Sequence, residues 1–246
     1  MPQLGNTARP PLSSRPSTAV GRAAAGWRKI ARVPISPRED DDVPGPTRGF
    51  LGRRRSAGDP RLPPGQYDAG SDWPVLTAEP TPRITPETWS ITVDGAVENP
   101  TTWTWDEAHA LPGAEYNGDI HCVTTWSKFD THFAGVSVDS LLEVARPKPE
   151  GRFVMETAKT GYTTNLPIED VTGGKAWLVW EFDGKPLAVE HGGPVRMLVP
   201  HLYFWKSTKW ISRITVMERD QPGFWEQNGY HDRGDPWKQQ RYQGDL

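Results

Sequence analysis

The 246-residue chain has a single cysteine, Cys122. This excludes an internal disulfide framework, a thiolate zinc cluster and a cysteine-held iron–sulfur cluster. Long apolar runs are also missing. No stretch approaches the roughly 20 residues that a membrane-spanning helix needs, so no membrane span is expected. The best candidate for a secretory leader, Ala23-Ala24-Ala25-Gly26-Trp27, falls short of the usual apolar run of about 7–15 residues. Arg53-Arg54-Arg55 resembles the start of a twin-arginine export signal, but the residues that follow, Ser56-Ala57-Gly58-Asp59-Pro60, have no apolar core. The expectation is therefore a cytoplasmic protein. Residues 1–38 carry Arg and Ser with no acid before Glu39, a composition that also fits an organellar transit peptide. The plainer reading is a disordered tail or an over-long gene start.

Basic charge is scarce where nucleic-acid binding would need it. Residues 1–60 hold 11 Lys+Arg and 5 Asp+Glu, a balance of +6, whereas residues 61–246 hold 17 and 26, a balance of −9. An acidic body cannot neutralise phosphates over a surface, so no nucleic-acid partner is expected. Prolines favour the front, with 14 of 25 in residues 1–82, and 11 of 12 tryptophans lie at or after Trp73. The expected organisation is a disordered basic head, 1–60, and one aromatic-rich domain, 61–246, ending in an irregular tail from about residue 220.

Prolines in 61–86 predict an extended arm laid over the body. Alternation of β-branched and polar residues predicts strands at Trp89–Asp94 and Thr101–Trp105, with Asp94-Gly95 as a hairpin turn. A short helix follows to Ala110, capped by Thr104 or Asp106. Ile120–Trp126 reads as a strand or strand end carrying Cys122. Ser137 caps a helix to Ala145. Further strands are expected at Arg152–Thr157, Tyr162–Leu166, Ala176–Phe182, Val195–Val199 and Trp210–Met217, with a hairpin turn at Asp183-Gly184. Short strands with few helices define an α+β fold, mainly antiparallel.

Three places could carry chemistry. Cys122 is either a small buried hydrophobe or a nucleophile or ligand. Its neighbour His121 points to the other face of a strand, so a hydrolase would need a distant base such as His191 or His201. In His191-Gly192-Gly193-Pro194-Val195-Arg196 the glycines permit close backbone approach, and Arg196 opens an apolar strand that could mount a guanidinium fork for phosphate. The same residues could equally form a plain hairpin turn. In Tyr203–Trp210, lysines and hydroxyls sit among four aromatics, as one wall of a site for a phosphate-bearing ligand would require. A zinc site from His121, His132, His191 and His201 has no ligand spacing behind it.

His121-Cys122-Val123-Thr124-Thr125-Trp126-Ser127 precedes an amphipathic helix. Met155-Glu156-Thr157, His191-Gly-Gly-Pro-Val-Arg196 and Lys206-Ser-Thr-Lys-Trp210 follow. In this order and spacing the chain, from about Leu62 to Trp237, resembles the molybdopterin-binding domain of the sulfite oxidase family. Within it, the resemblance is to the heme-free bacterial branch of protein-methionine-sulfoxide-reductase catalytic subunits and sulfite-oxidase-like proteins. The resemblance implies the mainly antiparallel fold of that domain and a molybdenum–molybdopterin cofactor with Cys122 as the metal's thiolate ligand. It implies that Thr157, His191, Arg196, Ser207, Thr208 and Lys209 hold the pterin and its phosphate. One cysteine suffices because the cofactor brings the other sulfurs.

The chain departs from sulfite oxidases in ways that bear on substrate. Val123, Thr124 and Thr125 stand where an Arg is usual beside the ligand Cys. Trp180 takes the place of a Tyr and is expected to face the site. Leu76-Thr77-Ala78 replaces an Arg-Asn-His segment. The implied activity is two-electron oxygen-atom transfer on a small molecule, a sulfoxide or N-oxide in preference to sulfite. A separate electron-transfer protein is expected. The alternatives are a sulfite dehydrogenase, a non-catalytic domain that keeps the fold, and, last, a Cys/His hydrolase.

Overall fold

A computed structural model describes residues 58–246. Most of the expected head, residues 1–60, lies outside the described residues. Two sheets carry the fold. The first is built on a long strand, β5 (Trp126–Ser137). Its other members are β1 (Tyr67–Asp68), β4 (Gly113–His121), β8 (Trp177–Phe182), β9 (Lys185–Pro186) and β10 (Arg196–Leu198). Its path runs β1-β5-β8-β10, with β4 paired to β5 and β9 to β8. The second sheet runs β3-β2-β11-β6-β7. It comprises β2 (Ser90–Gly95), β3 (Thr101–Thr104), β6 (Phe153–Ala158), β7 (Thr163–Pro167) and β11 (Ile211–Met217). Pairing is antiparallel except for β1 with β5 and β2 with β11, so the mainly antiparallel α+β class holds.

The second sheet follows from alternation. Ile91 and Val93 of β2, Trp103 of β3, Val154 of β6 and Ile214 and Val216 of β11 all point into one core. The helix α2 (Val138–Ala145) adds Val138, Leu141, Leu142 and Ala145 to it, spaced as one helical face. Ser137 caps α2 by accepting from Asp139 N–H, and Arg146 ends it in the left-handed region, φ 55°. Thr104 caps the short α1 (Trp105–His109) by accepting from Glu107 N–H. A second cluster, around Ile120, Phe133, Val179 and Leu198, belongs to the first sheet and includes Cys122.

One expectation changes and another narrows. Asp94-Gly95 is not a hairpin turn: β2 continues through Gly95, which pairs with Val216 of β11. A Cβ there would lie 2.2 Å from Val216 O, and φ is +87°, so the position requires glycine. Of the two readings of Ile120–Trp126, a strand or a strand end, the structure takes the second. β4 ends at His121, residues 122–125 turn, and β5 begins at Trp126. Cys122 N–H donates to Trp126 O at 2.8 Å and Thr125 N–H to Cys122 O at 3.0 Å. The run Val123-Thr124-Thr125 has strand composition, but pairing of its flanks makes it a loop, with Thr125 at φ 77°. Asp183-Gly184 does turn a hairpin, from β8 into β9.

Candidate active site

The turn after β4 presents Cys122 to a cavity of about 280 Å³. Each wall comes from a different stretch of chain. A 3₁₀ turn, Val189–His191, runs through Gly192 (φ 108°) toward β10 and supplies His191 and Arg196. A second, Phe204–Lys206, leads to β11 and supplies Phe204, Ser207 and Lys209. The arm contributes Trp73 and residues 76–79, and the C-terminal tail contributes Trp225, from the short helix α3 (Phe224–Gln227), and Tyr230. A parallel bridge between His121 and Tyr203 ties the Cys122 turn to the second wall.

Arg196 is the electrostatic centre. It is almost fully buried. It donates to His191 O and Ser207 O, each at 2.7 Å, and to Met197 O at 3.2 Å. Its guanidinium lies 4.0 Å from the Phe204 ring centroid. Lys209 Nζ donates to Glu190 O at 2.7 Å. Among the described residues neither cation forms an ion pair with a carboxylate. Burial lowers Arg196 to about 9. Burial, and then the Arg196 charge, lowers Lys209 to about 8. Both are still cationic at neutral pH, and each would be relieved by an anion. His191 is driven down to about 4, by burial first and then by Arg196 and Lys209, so its ring is neutral. It stacks on Trp73 at 3.8 Å and 11°.

Cys122 Sγ is 3.2 Å from Thr124 Oγ1. Burial raises the thiol, while Thr124, Arg241 and Arg196 pull it back. Arg241 reaches the turn from the tail, donating to Val123 O with its guanidinium over Tyr203. Gln66 Nε2 donates to Cys122 O at 3.1 Å. Trp126 Nε1, from another lining residue, is a buried donor with no partner.

Of the residues expected to form the site, Cys122, His191, Arg196, Ser207 and Lys209 share this cavity. Thr157, Thr208 and Trp180 are not among its lining residues. Thr157, on β6, accepts from Ser212 Oγ through its carbonyl. Thr208 is buried, and its N–H donates to Glu156 Oε2 at 3.1 Å. The expectation that Trp180 faces the site is corrected. On β8 its neighbour Val179 joins the Cys122 cluster, and Trp180, on the opposite face, stacks on His109 at 3.9 Å beside Trp105. The four histidines that lacked ligand spacing for zinc also stay apart. His132 meets Glu115, His201 meets Asp170 and His121 Nδ1 meets Ser127 Oγ. No metal-holding group of His, Cys, Asp and Glu occurs among the described residues.

Sequence reasoning missed Trp73, Tyr162, Trp225, Tyr230 and Arg241. Only the aromatic richness of the tail pointed to any of them.

The donor set fits a molybdopterin group. It combines one thiolate candidate, a buried and a half-buried cation that form no ion pair, and a buried indole N–H without an acceptor. A family model described as "Oxidoreductase molybdopterin binding domain" matches residues 78–225, and the chain belongs to that family of molybdopterin-binding oxidoreductase enzymes. It is 42% identical over 193 residues to "Uncharacterized oxidoreductase YuiH" of Bacillus subtilis (strain 168), covering 78% of this chain and 97% of that protein. It is 26% identical over 157 residues to "Protein-methionine-sulfoxide reductase catalytic subunit MsrP" of Campylobacter jejuni, covering 57% of this chain and 52% of that protein. Among solved structures, the sulfane dehydrogenase SoxCD of Paracoccus pantotrophus shares the fold. Its TM-score is 0.53 and its identity 17%, with 77% of this chain and 59% of that chain covered.

Proposed function

We propose that the protein reduces an uncharged oxide, a sulfoxide or N-oxide, by two-electron oxygen-atom transfer. The carrying observation is the division of labour inside one cavity. The thiol of Cys122 is flanked by neutral Val123 and Thr124, while the lining cations, Arg196 and Lys209, are gathered with Ser207. In this reading Arg196, Lys209 and Ser207 hold the phosphate of molybdopterin, and Cys122 ligates molybdenum. When bound, that group supplies the two-electron redox change. The chain's own part is to seat it and to exclude water with Trp73, Phe204 and Trp225.

Lys128, the cation nearest in sequence to the Cys122 turn and so the one that could meet a sulfite anion, donates to Gly70 O and Ser71 O at 3.1 and 3.2 Å and does not line the cavity. The balanced reaction consumes the oxide, two protons and two electrons and yields the reduced product and water. The electrons come from a separate carrier protein, since one cysteine cannot hold an iron–sulfur cluster here.

The test compares kcat/KM for sulfoxide reduction with that for sulfite oxidation, on one preparation with artificial electron carriers. The sulfoxide value should be the larger. A sulfite value well above it would overturn the proposal and establish a sulfite dehydrogenase. Absence of both activities at full molybdenum loading would favour a binding domain.

A further inference from the structure

Glu156 breaks the pattern of its strand. Along β6 the buried face takes Val154, Glu156 and Ala158, so a carboxyl stands where alternation calls for an apolar side chain. It is fully buried. Its Oε2 accepts the Thr208 N–H at 3.1 Å, while its Oε1 and the Thr208 Oγ1 are buried without partners. It does not line the cavity. It stands behind the 207–209 segment, whose other side is laced to β10. There Met197 N–H donates to Thr208 O at 2.8 Å, Val199 N–H to Ser207 Oγ at 2.9 Å and Arg196 to Ser207 O. A negative charge directly behind a segment that receives an anion has the wrong sign.

We infer that Glu156 is a positioning residue that sits protonated behind the anion-binding segment, holding the Thr208 N–H while adding no negative charge behind the phosphate. The inference rests on the reading that Arg196, Ser207 and Lys209 hold that phosphate. The groups facing Glu156 are Arg196 from β10, Lys206 and Thr208 from the segment, Tyr162 before β7, and its strand partners Thr164 and Ile214. Lys206 is committed elsewhere, 2.6 Å from Glu226 in a buried pair. Burial outweighs the pull of Thr208 and then of the cations Lys206 and Arg196, and raises the Glu156 carboxyl to about 8. Above that pH a charge appears behind the segment, and the cofactor is held less firmly.

The test uses the holoprotein, dialysed between pH 6 and 9, with retained molybdenum and pterin measured per folded chain. Wild-type retention should fall by more than tenfold between pH 7 and 9, about tenfold through the Glu156 proton and the rest through loss of the Lys209 charge. Glu156→Gln should retain at least as much at pH 7 and decline about tenfold less than the wild type by pH 9, keeping only the share due to Lys209. Glu156→Ala, which removes the acceptor for Thr208, should retain less at every pH. Parallel profiles for wild type and Glu156→Gln would overturn the inference, because Lys209, lowered to about 8, would then explain the decline. Loss of cofactor from Glu156→Gln at pH 7, or its failure to fold, would also overturn it, since the amide is the nearest mimic of the neutral acid. Full retention in Lys209→Ala would instead overturn the phosphate reading itself.

Discussion

Replacing Arg196 with Ala should have two separable effects. The guanidinium braces the cleft by donating to His191 O on one wall and Ser207 O on the other, both at 2.7 Å. A buried acceptor left without its donor costs about 1–3 kcal/mol, so the two carbonyls together cost about 2–6 kcal/mol. A domain of this size has a margin of roughly 5–15 kcal/mol. The urea midpoint of the cofactor-free protein should therefore fall markedly. The second effect is on the ligand. Losing a charge-assisted bond to phosphate costs about 1.5–3 kcal/mol, or roughly 10–150-fold in affinity. Arg196→Lys separates the two, because it keeps the charge but cannot reach both carbonyls as a planar fork does. It should recover part of the cofactor occupancy and little of the stability. The assay is molybdenum and pterin content per folded chain, beside urea melts of the same variants. Arg196→Ala with lowered stability but full occupancy would refute the assignment of Arg196 to the phosphate.

Cys122→Ser should abolish turnover at matched molybdenum content while leaving the urea midpoint near that of the wild type, since the hydroxyl is close to the thiol in volume and far poorer as a ligand. Equal turnover would remove Cys122 from the metal. Acid should destabilise the fold through His121, which is 5% exposed and lowered by burial to about 4. The unfolded chain takes up a proton near pH 6.5 and the native chain only near 4, so the stabilisation is complete above pH 6.5 and is lost as pH falls toward 4. Its size is up to about 3 kcal/mol. His121→Gln should flatten urea-melt stability over that window, and an unchanged pH slope would refute the assignment.

The second sheet was largely legible because its strands bury one face. Period-2 alternation gave β2, β6 and β11 to within two residues, and the Ser137 cap gave α2. The first sheet was harder. Its central strand β5 buries Trp126, Ser127, Lys128 and Phe129 in succession, so no alternation marks where it begins. The Cys122 turn was illegible for a related reason. Thr124 and Thr125 are β-branched, and only the pairing of His121 with Ser127 across the turn bends them out of line. The facing of Trp180 could not be read either, because one residue of register moves every side chain of a strand to the other face. A bulge between Ala134 and Gly135, where β5 meets β8, shifts the register beside that position.

The site divides in the same way. Cys122, His191, Arg196, Ser207 and Lys209 were legible because each sits in a short ordered motif within the stretch that matches the family, residues 78–225. Trp73, Tyr230 and Arg241 lie outside that stretch, in the arm and the tail, where neither period nor motif marks a residue. Yet these segments complete the walls: Trp73 covers His191, Tyr230 packs edge-on against Trp205, and Arg241 holds the carbonyl next to Cys122. Glu156 stands between the two cases. Its motif was visible, but its chemical sense was not. An acid on a buried strand face reads as an anomaly until the structure places the 207–209 segment, proposed above to hold the phosphate, in front of it. On the inference drawn above, the cost of burying the carboxyl keeps it neutral, as a segment that holds a phosphate would require.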